Sequence, residues 1–549
     1  MKKRQSPITN NWHRTALAAV LCLFGFCLIW ASAAPKGKRK RPRTDERVYL
    51  VHSDELAYDM YGAVPDAQIL RGKVHFTHAG SQLWCDSAYF FQEANSVKAF
   101  GHVHFKQGDT LSLRCDYADY IGAEQMMHAR RNVVLKHRTQ TLYTDSLDYD
   151  RLYDNAYFFE GGKLIDGKDE LVSDWGEYNT ATRKAAFFYD VHMRSGENII
   201  NTDSLHYDTR TRIAHVTGPS TIKSKSTVIN TTDAYTNSKT NMSQLFGRST
   251  IVDGKKTITG DSLFHNDKLK QNEGFGNVIY TDTENKNELR CDHLFYNETT
   301  GYGYATKRAL MLDYSQKDTL YVHADSLKLY TFNIETDSVY RKVHAHVRAY
   351  RDDVQAVCDS LVFSSQDSCM TMYRDPIVWN LGRQLLGEVI HVYMNDSTVR
   401  KAEIVGQALS VEKCDEKNHF NQISSKRMDA FFTDGAIRRA EATGNVKSLY
   451  YNADQKDSLL SELNYMETDT LRMYMSAERK LQKIWASKAV GTMYPITQIP
   501  PEKYKLPEFA WFEEIRPKDK YDVFNWRGKA AGTELKEMLR IEAPLQRLE

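Results

Sequence analysis

Apolar and polar residues alternate along this chain in short runs, and the runs recur. Val103 and Phe105 are apolar while His102, His104 and Lys106 are polar, the period of a strand with one buried face. Gln107-Gly108-Asp109 predicts a turn, because Gly supplies a backbone conformation closed to most residues. Leu111, Leu113 and Cys115 then alternate with Ser112, Arg114 and Asp116, so a second strand follows and the two form a hairpin with one apolar face. A turn near Gly122 leads to Ala129-Arg130-Arg131-Asn132-Val133-Val134-Leu135 and the next unit. Gly72-Lys73-Val74-His75-Phe76 leads in the same way into Leu83-Trp84-Cys85-Asp86, and Gly276-Asn277-Val278 into Leu289-Arg290-Cys291-Asp292. Gly444-Asn445-Val446 still announces the pattern late in the chain. Helical spacing is nearly absent before residue 500, the segment around Met475 to Trp485 being the main exception. The pattern predicts an all-β array.

A short phrase marks each unit: an acidic residue, a small or polar one, often Leu, then an aromatic two places on. It reads Asp145-Ser146-Leu147-Asp148-Tyr149 and Asp203-Ser204-Leu205-His206-Tyr207, and its leading Asp steps through 116, 145, 174 and 203, intervals of 29 residues. Such regularity implies stacked units, none able to bury its apolar face alone. The Asp recurs in nearly every unit, which points to a turn or edge residue bonding local backbone amides, whereas catalytic carboxylates form a unique pair in a cleft. Cys85, Cys115, Cys291 and Cys358 each precede that Asp, a placement that asks for a small buried side chain. Cys358 with Cys369 is one conceivable disulfide in an exported protein.

Composition changes the picture little. The 549 residues are 41% hydrophobic and 26% charged, with 32 Tyr and 23 Phe against 12 Pro, which suits a folded, strand-rich protein. A formal net charge of +2 gives no case for nucleic-acid binding. The N-terminus says more. Lys2, Lys3, Arg4 and Arg14 precede an apolar run from Ala16 to Trp30 and then Ala31-Ser32-Ala33-Ala34, the layout of a secretory signal peptide cut after Ala33. The expected organisation is signal peptide 1–33, basic flexible leader 34–47, β-repeat array 48–494 and a Pro- and aromatic-rich tail 495–549. That tail, with Pro500-Pro501, Trp511-Phe512 and Trp526, is expected to cap the last strand edge or to dock a partner, with a short helix at Glu534 to Leu548.

Catalytic and cofactor chemistry finds no foothold. The histidine pairs His75/His78, His102/His104 and His344/His346 have no recurring third ligand, and no CxxC zinc spacing, HExxH, GxSxG, Walker-type loop or GGxGxD repeat is present. The expectation is no enzyme, no metal and no cofactor.

Strands opened by Gly-x-Val, closed by Leu-x-Cys/Ala-Asp phrases and following a signal peptide resemble the OstA-like family of periplasmic lipopolysaccharide-transport bridge proteins. The resemblance runs over roughly residues 48 to 450 and is clearest from Gly101 through Asp116 and from Gly72 through Asp86. It implies an open β-jellyroll, a V-shaped trough with acyl chains in an apolar groove, as one long trough or several consecutive modules. It also implies subunits joined end to end by strand pairing with other transport components. Carried onto this sequence, the groove would be lined by Val74, Phe76, Leu83, Val103, Phe105, Leu111, Leu113, Val133, Leu135 and Leu142. The implied function is a periplasmic conduit carrying lipopolysaccharide or a related glycolipid toward the outer membrane. Periodicity alone also fits a closed β-helix, a structural or adhesive surface solenoid that binds polysaccharide or protein outside. In that case the same ten residues pack only against each other.

Overall fold

The structure, a computed structural model, describes residues 47–529 apart from 267, 334–337, 396–397, 416, 418, 434, 454–458 and 478–480. The signal peptide, nearly all of the basic leader and the helix expected at Glu534 to Leu548 lie outside the described residues. The described chain is built of strands, followed by four 3-10 turns from Ile496 onward. It divides into two compact units: one up to Ala129 together with Tyr149–Tyr153, the other Arg130–Asp148 together with everything from Asp154.

In the first unit the strands Gln68–His78, Ser81–Phe91, Ser96–Gln107 and Leu111–Ile121 pair antiparallel in chain order. Two short strands, Tyr49–His52 and Glu55–Tyr58, lie against the two halves of Gln68–His78. The Gly-x-Val signal has a different place from the one expected. Strand Ser96–Gln107 begins five residues before Gly101 and runs through it, and the register slips between Phe100 and Val103. Gly101 and His102 (φ 74° and 44°) form a mid-strand bulge facing Asp116, which bends the strand instead of opening it. A Cβ on Gly101 would stand 2.5 Å from Asp86 Oδ2, so the bend needs glycine for space as well as for φ. The repeated Asp is the other half of this device: Asp86 accepts a hydrogen bond from His102 Nδ1 at 2.7 Å.

The second unit continues the same construction from Asn155–Asp166 to Val490–Pro495. Its bends recur at Tyr189-Asp190, Gly276-Asn277, Ala345-His346 and Gly444-Asn445, all with positive φ. Asp145 accepts from the Asn132 amide, and Asp261 accepts from Asn277 Nδ2 and Arg248 Nη1. Among the described residues every strand pairing is antiparallel, which excludes a β-helix, whose successive rungs pair in parallel. The helical spacing around Met475 to Trp485 resolves into strands Leu460–Met475 and Leu481–Ser487, paired with each other; the apparent period came from two separate strands. Cys358 and Cys369 are free thiols, with Cys358 in the inner core.

The described part of the C-terminal tail crosses the outer face of the second unit, running back against the chain order. Ile499 and Leu506 pack on Leu449, Tyr451 and Leu463. Phe512 and Ile515 pack on Val357, Trp379, Leu409, Val411 and Phe420. Val523 reaches Leu310 and Leu312. Buried glutamines hold the strap's backbone: Gln422 bonds Tyr504 O and Leu506 N, and Gln384 bonds Ala510 O and Phe512 N, all within 3.0 Å. Arg348, fully buried, donates to Ile515 O and faces Asp522, which also pairs with Arg527.

Candidate functional site

Each mid-strand bend divides its strand into two arms. Like arms pair with like arms, so each unit has two walls whose apolar sides face each other. In the first unit Phe76 meets Phe90 across this interior at 5.3 Å between ring centres, and Phe105 meets Tyr120 at 6.3 Å. The structure places all ten expected groove residues on the inner side. Val74, Phe76, Leu83, Val103, Phe105, Leu111 and Leu113 belong to the first unit, and Val133, Leu135 and Leu142 to the second; each is 0–5% exposed. Within each unit these side chains are buried and meet almost no water.

Hydrogen bonds at the rim accompany this burial, and sequence reasoning missed them. In the first unit His78 Nδ1 lies 2.6 Å from Tyr120 Oη, and Tyr149 Oη donates to Gln107 Oε1 at 3.1 Å. Arg151 donates to Tyr120 Oη and rests over the Phe105 ring at 5.7 Å. In the second unit His137 Nδ1 lies 2.8 Å from Tyr178 Oη. Tyr207 Oη donates to Asp169 Oδ2 at 2.7 Å and to Asp166 Oδ2 at 3.2 Å. Asp169 also accepts from Ser195 and Ser238, and Asp166 from Gln140. Each tyrosine stands four residues after the phrase's Asp, and its partner lies 41 or 42 residues earlier on the opposite wall. The signal was present as a second register, Tyr120, Tyr149, Tyr178 and Tyr207 against His78, Gln107, His137 and Asp166. It is legible only once the bend shows which arms face each other. Burial pushes the Tyr178 hydroxyl up to about 12 and holds the His137 imidazole below its usual value, so this pair is neutral near pH 7.

At the next two repeat positions beyond Tyr207 no tyrosine stands. The next repeat position is Thr236, and the one after it, His265, turns instead to Asn272 on the adjacent strand at 2.7 Å. A single cross-strand row records the consequence within the second unit. Leu164, Leu171, Met193, Ile200 and Ile222 are consecutive partners in it, each no more than 4% exposed. The row continues through Ile229, Ile251, Ile258, Tyr280, Leu289 and Met311, and all six are only half-buried. Deeper residues nearer the bends, Ala234, Leu245, Leu263, Val278, Ala305 and Ala309, stay buried throughout. The deep positions are therefore packed while the row above them stays partly exposed, a run of apolar surface on the inner side. Farther along, Met370, Leu385, Ile423, Met466 and Met473 are likewise half-buried over the inner core; methionine's flexible thioether suits an adaptable apolar surface.

Nothing reactive joins this surface. Cys85 and Cys291 are buried thiols pushed up to about 12 by desolvation, the setting of inert thiols. No group of His, Cys, Asp or Glu suited to a metal occurs among the described residues.

A family model described as OstA-like protein matches residues 45–203, a stretch that contains all ten inward residues and the tyrosines at 120, 149 and 178. No curated protein matches the chain. Among solved structures, the chain is similar to LptH from Pseudomonas aeruginosa, described as the LptA-homologous periplasmic component of the conserved lipopolysaccharide transport device. That similarity has 13% identity, covers 22% of this chain and 82% of LptH, and gives a TM-score of 0.19. Over residues 45–203 this chain is similar to the OstA-like family.

Proposed function

We propose that this protein is a non-enzymatic lipid conduit of the periplasm, holding the acyl chains of lipopolysaccharide or a related glycolipid against its inner face and passing them toward the outer membrane. The observation that carries this reading is the row from Ile229 to Met311, apolar, inward and half-buried. Water disfavours such surface at about 25 cal/mol per Å², and an acyl chain covers it without needing a polar partner. Val133, Leu135 and Leu142 of the second unit would extend the same lining wherever the walls part, and the seven inward residues of the first unit would line that unit in the same way. The strands Tyr49–His52 and Glu55–Tyr58 expose Tyr49, Val51 and Leu56, while Leu481–Ser487 and Val490–Pro495 expose Ile484, Trp485 and Val490. Exposed short strands invite pairing by another chain, which supports end-to-end assembly with other transport components. The test is a photo-crosslinking residue at Ile258 or Tyr280, with exposed Arg290 as control, in cells making lipopolysaccharide. Capture at the first two alone is expected; equal capture at all three sinks the reading.

A second reading, polysaccharide bound on the outer face, has one observation in its favour. Tyr235, Phe246, Phe264, Phe275 and His293 form a continuous row of ring contacts there, with centroids 4.6–6.1 Å apart. Retention on immobilised glycan that is lost in Tyr235→Ala and unchanged in Ile258→Ala supports it over the conduit.

A further inference from the structure

We propose that the tyrosine pairs of the second unit are a gate which sets how far an acyl chain can travel along the inner face. The inference rests on the conduit reading and adds a regulated boundary to it. Three features of the second unit converge on it. First, the row that is half-buried from Ile229 onward is the same hydrogen-bonded row that is sealed from Leu164 to Ile222, so the lining is continuous and only access changes. Second, the change falls one hairpin beyond Tyr207, whose hydroxyl bridges the walls. Third, the bridge there is polar and stands beside a row that is itself apolar. Asp166 and Asp169 are 1% and 2% exposed, and Tyr207, Ser195, Ser238 and Gln140 satisfy them.

An apolar seal would merge with the lining and offer no discrete step. Buried hydroxyl and imidazole groups hold the walls through a few directional bonds, each of which must break before the walls part, and their loss leaves costly unpaired groups that draw them back. The gate therefore has two states, and it opens from the groove end: Tyr207 first, then Tyr178 from His137. Behind Tyr207 lie Leu164, Leu171 and Ile200; behind Tyr178 lie Leu135 and Leu142. The bends permit such an opening, because each wall pairs with its own neighbours through complete ladders on either side of the bulge, so the walls can separate without breaking strand pairing.

The test uses the full chain with a photo-crosslinking residue at Leu164, behind the gate, or at Ile258, in the open groove, and purified lipopolysaccharide as probe. Wild-type protein is expected to capture strongly at Ile258 and weakly at Leu164. Tyr207→Phe keeps the ring and removes only the hydroxyl; it should raise capture at Leu164 about tenfold and leave Ile258 unchanged. Tyr178→Phe alone, with Tyr207 intact, should leave Leu164 dark. Melting followed by circular dichroism confirms that each variant is folded, and Asp169→Asn provides an independent way to weaken the same bridge. Weak capture at Leu164 in both Tyr207→Phe and Asp169→Asn, with Ile258 still captured, overturns the gate and leaves the conduit standing. Strong capture at Leu164 in wild type also overturns the gate. Absence of capture at Ile258 in every protein overturns the conduit and the gate together.

Discussion

Two stretches of the second unit, residues 154–222 and residues 227–313, share strand length, pairing and bend, and differ in how deeply the inner row is buried. In the first, the row side chains Leu164, Met193 and Ile222 are sealed and a tyrosine on one wall bonds a carboxylate on the other. In the second, Ile229, Ile258 and Met311 point the same way and remain half-buried. The deep positions also shrink: Ala185 and Phe187 of one strand give way to Gly303 and Ala305 of a later one. A repeat fold can thus hold its backbone grammar constant and tune its interior by one polar pair per unit. A third variation lies farther on, where the outer face itself becomes apolar and the strap covers it.

The comparison can be broken by mutation, and the largest effect should come from the strapped stretch. Trp379 is fully buried and packed with the cluster that receives Phe512 and Ile515, so Trp379→Ala should cost about 3–5 kcal/mol. Urea unfolding followed by fluorescence of the remaining tryptophans measures it. Next, Leu164→Ala in the sealed stretch should cost about 2–5 kcal/mol, whereas Ile258→Ala in the later stretch should cost less, because part of that side chain already meets water. Equal losses in parallel urea titrations would mean that the two stretches do not differ in packing. Tyr178→Phe should cost about 1 kcal/mol, the worth of one buried hydrogen bond, and the same titration reads it.

The smallest effect concerns pH. Burial lowers the His137 pKa, with Arg138 and Arg183 adding to the shift. The unfolded chain therefore binds more protons than the native state between the lowered value and about 6.5. This contribution to stability is complete above pH 6.5 and is lost as pH falls through the native value. Melting temperatures at pH 7.5 and 5.5 should separate in the wild type and draw closer in His137→Asn; an unchanged separation would remove His137 from the account.

Much of the wall construction was legible in the residues. The alternation of Val103 and Phe105 with His102 and His104 placed inner and outer faces correctly, because one water-avoiding side fixes register over the length of a strand. The Asp phrase was recognised as structural, yet its partner was misplaced. Gly101 reads as the start of a strand because turn residues usually bound strands, while here a bulge carries the strand through. The helix-like period at Met475 to Trp485 failed for a related reason: a local window cannot tell one element from two joined by a turn. The strap was visible as a break in the repeat, but the glutamines that hold it, Gln384 and Gln422, looked like ordinary polar positions of outward arms.

The sequence by itself determined the strand period, the 29-residue unit and the apolar side of each strand, because these follow from local alternation and from which side chains avoid water. It could not say how deeply the inner row is buried along the array, since Leu164 and Ile258 have the same apolar character and lie in the same cross-strand row. The tertiary structure decided that. The sealed stretch carries contacts between residues about forty apart, Tyr207 with Asp166 and Tyr178 with His137, and only the bend in each strand brings those positions face to face.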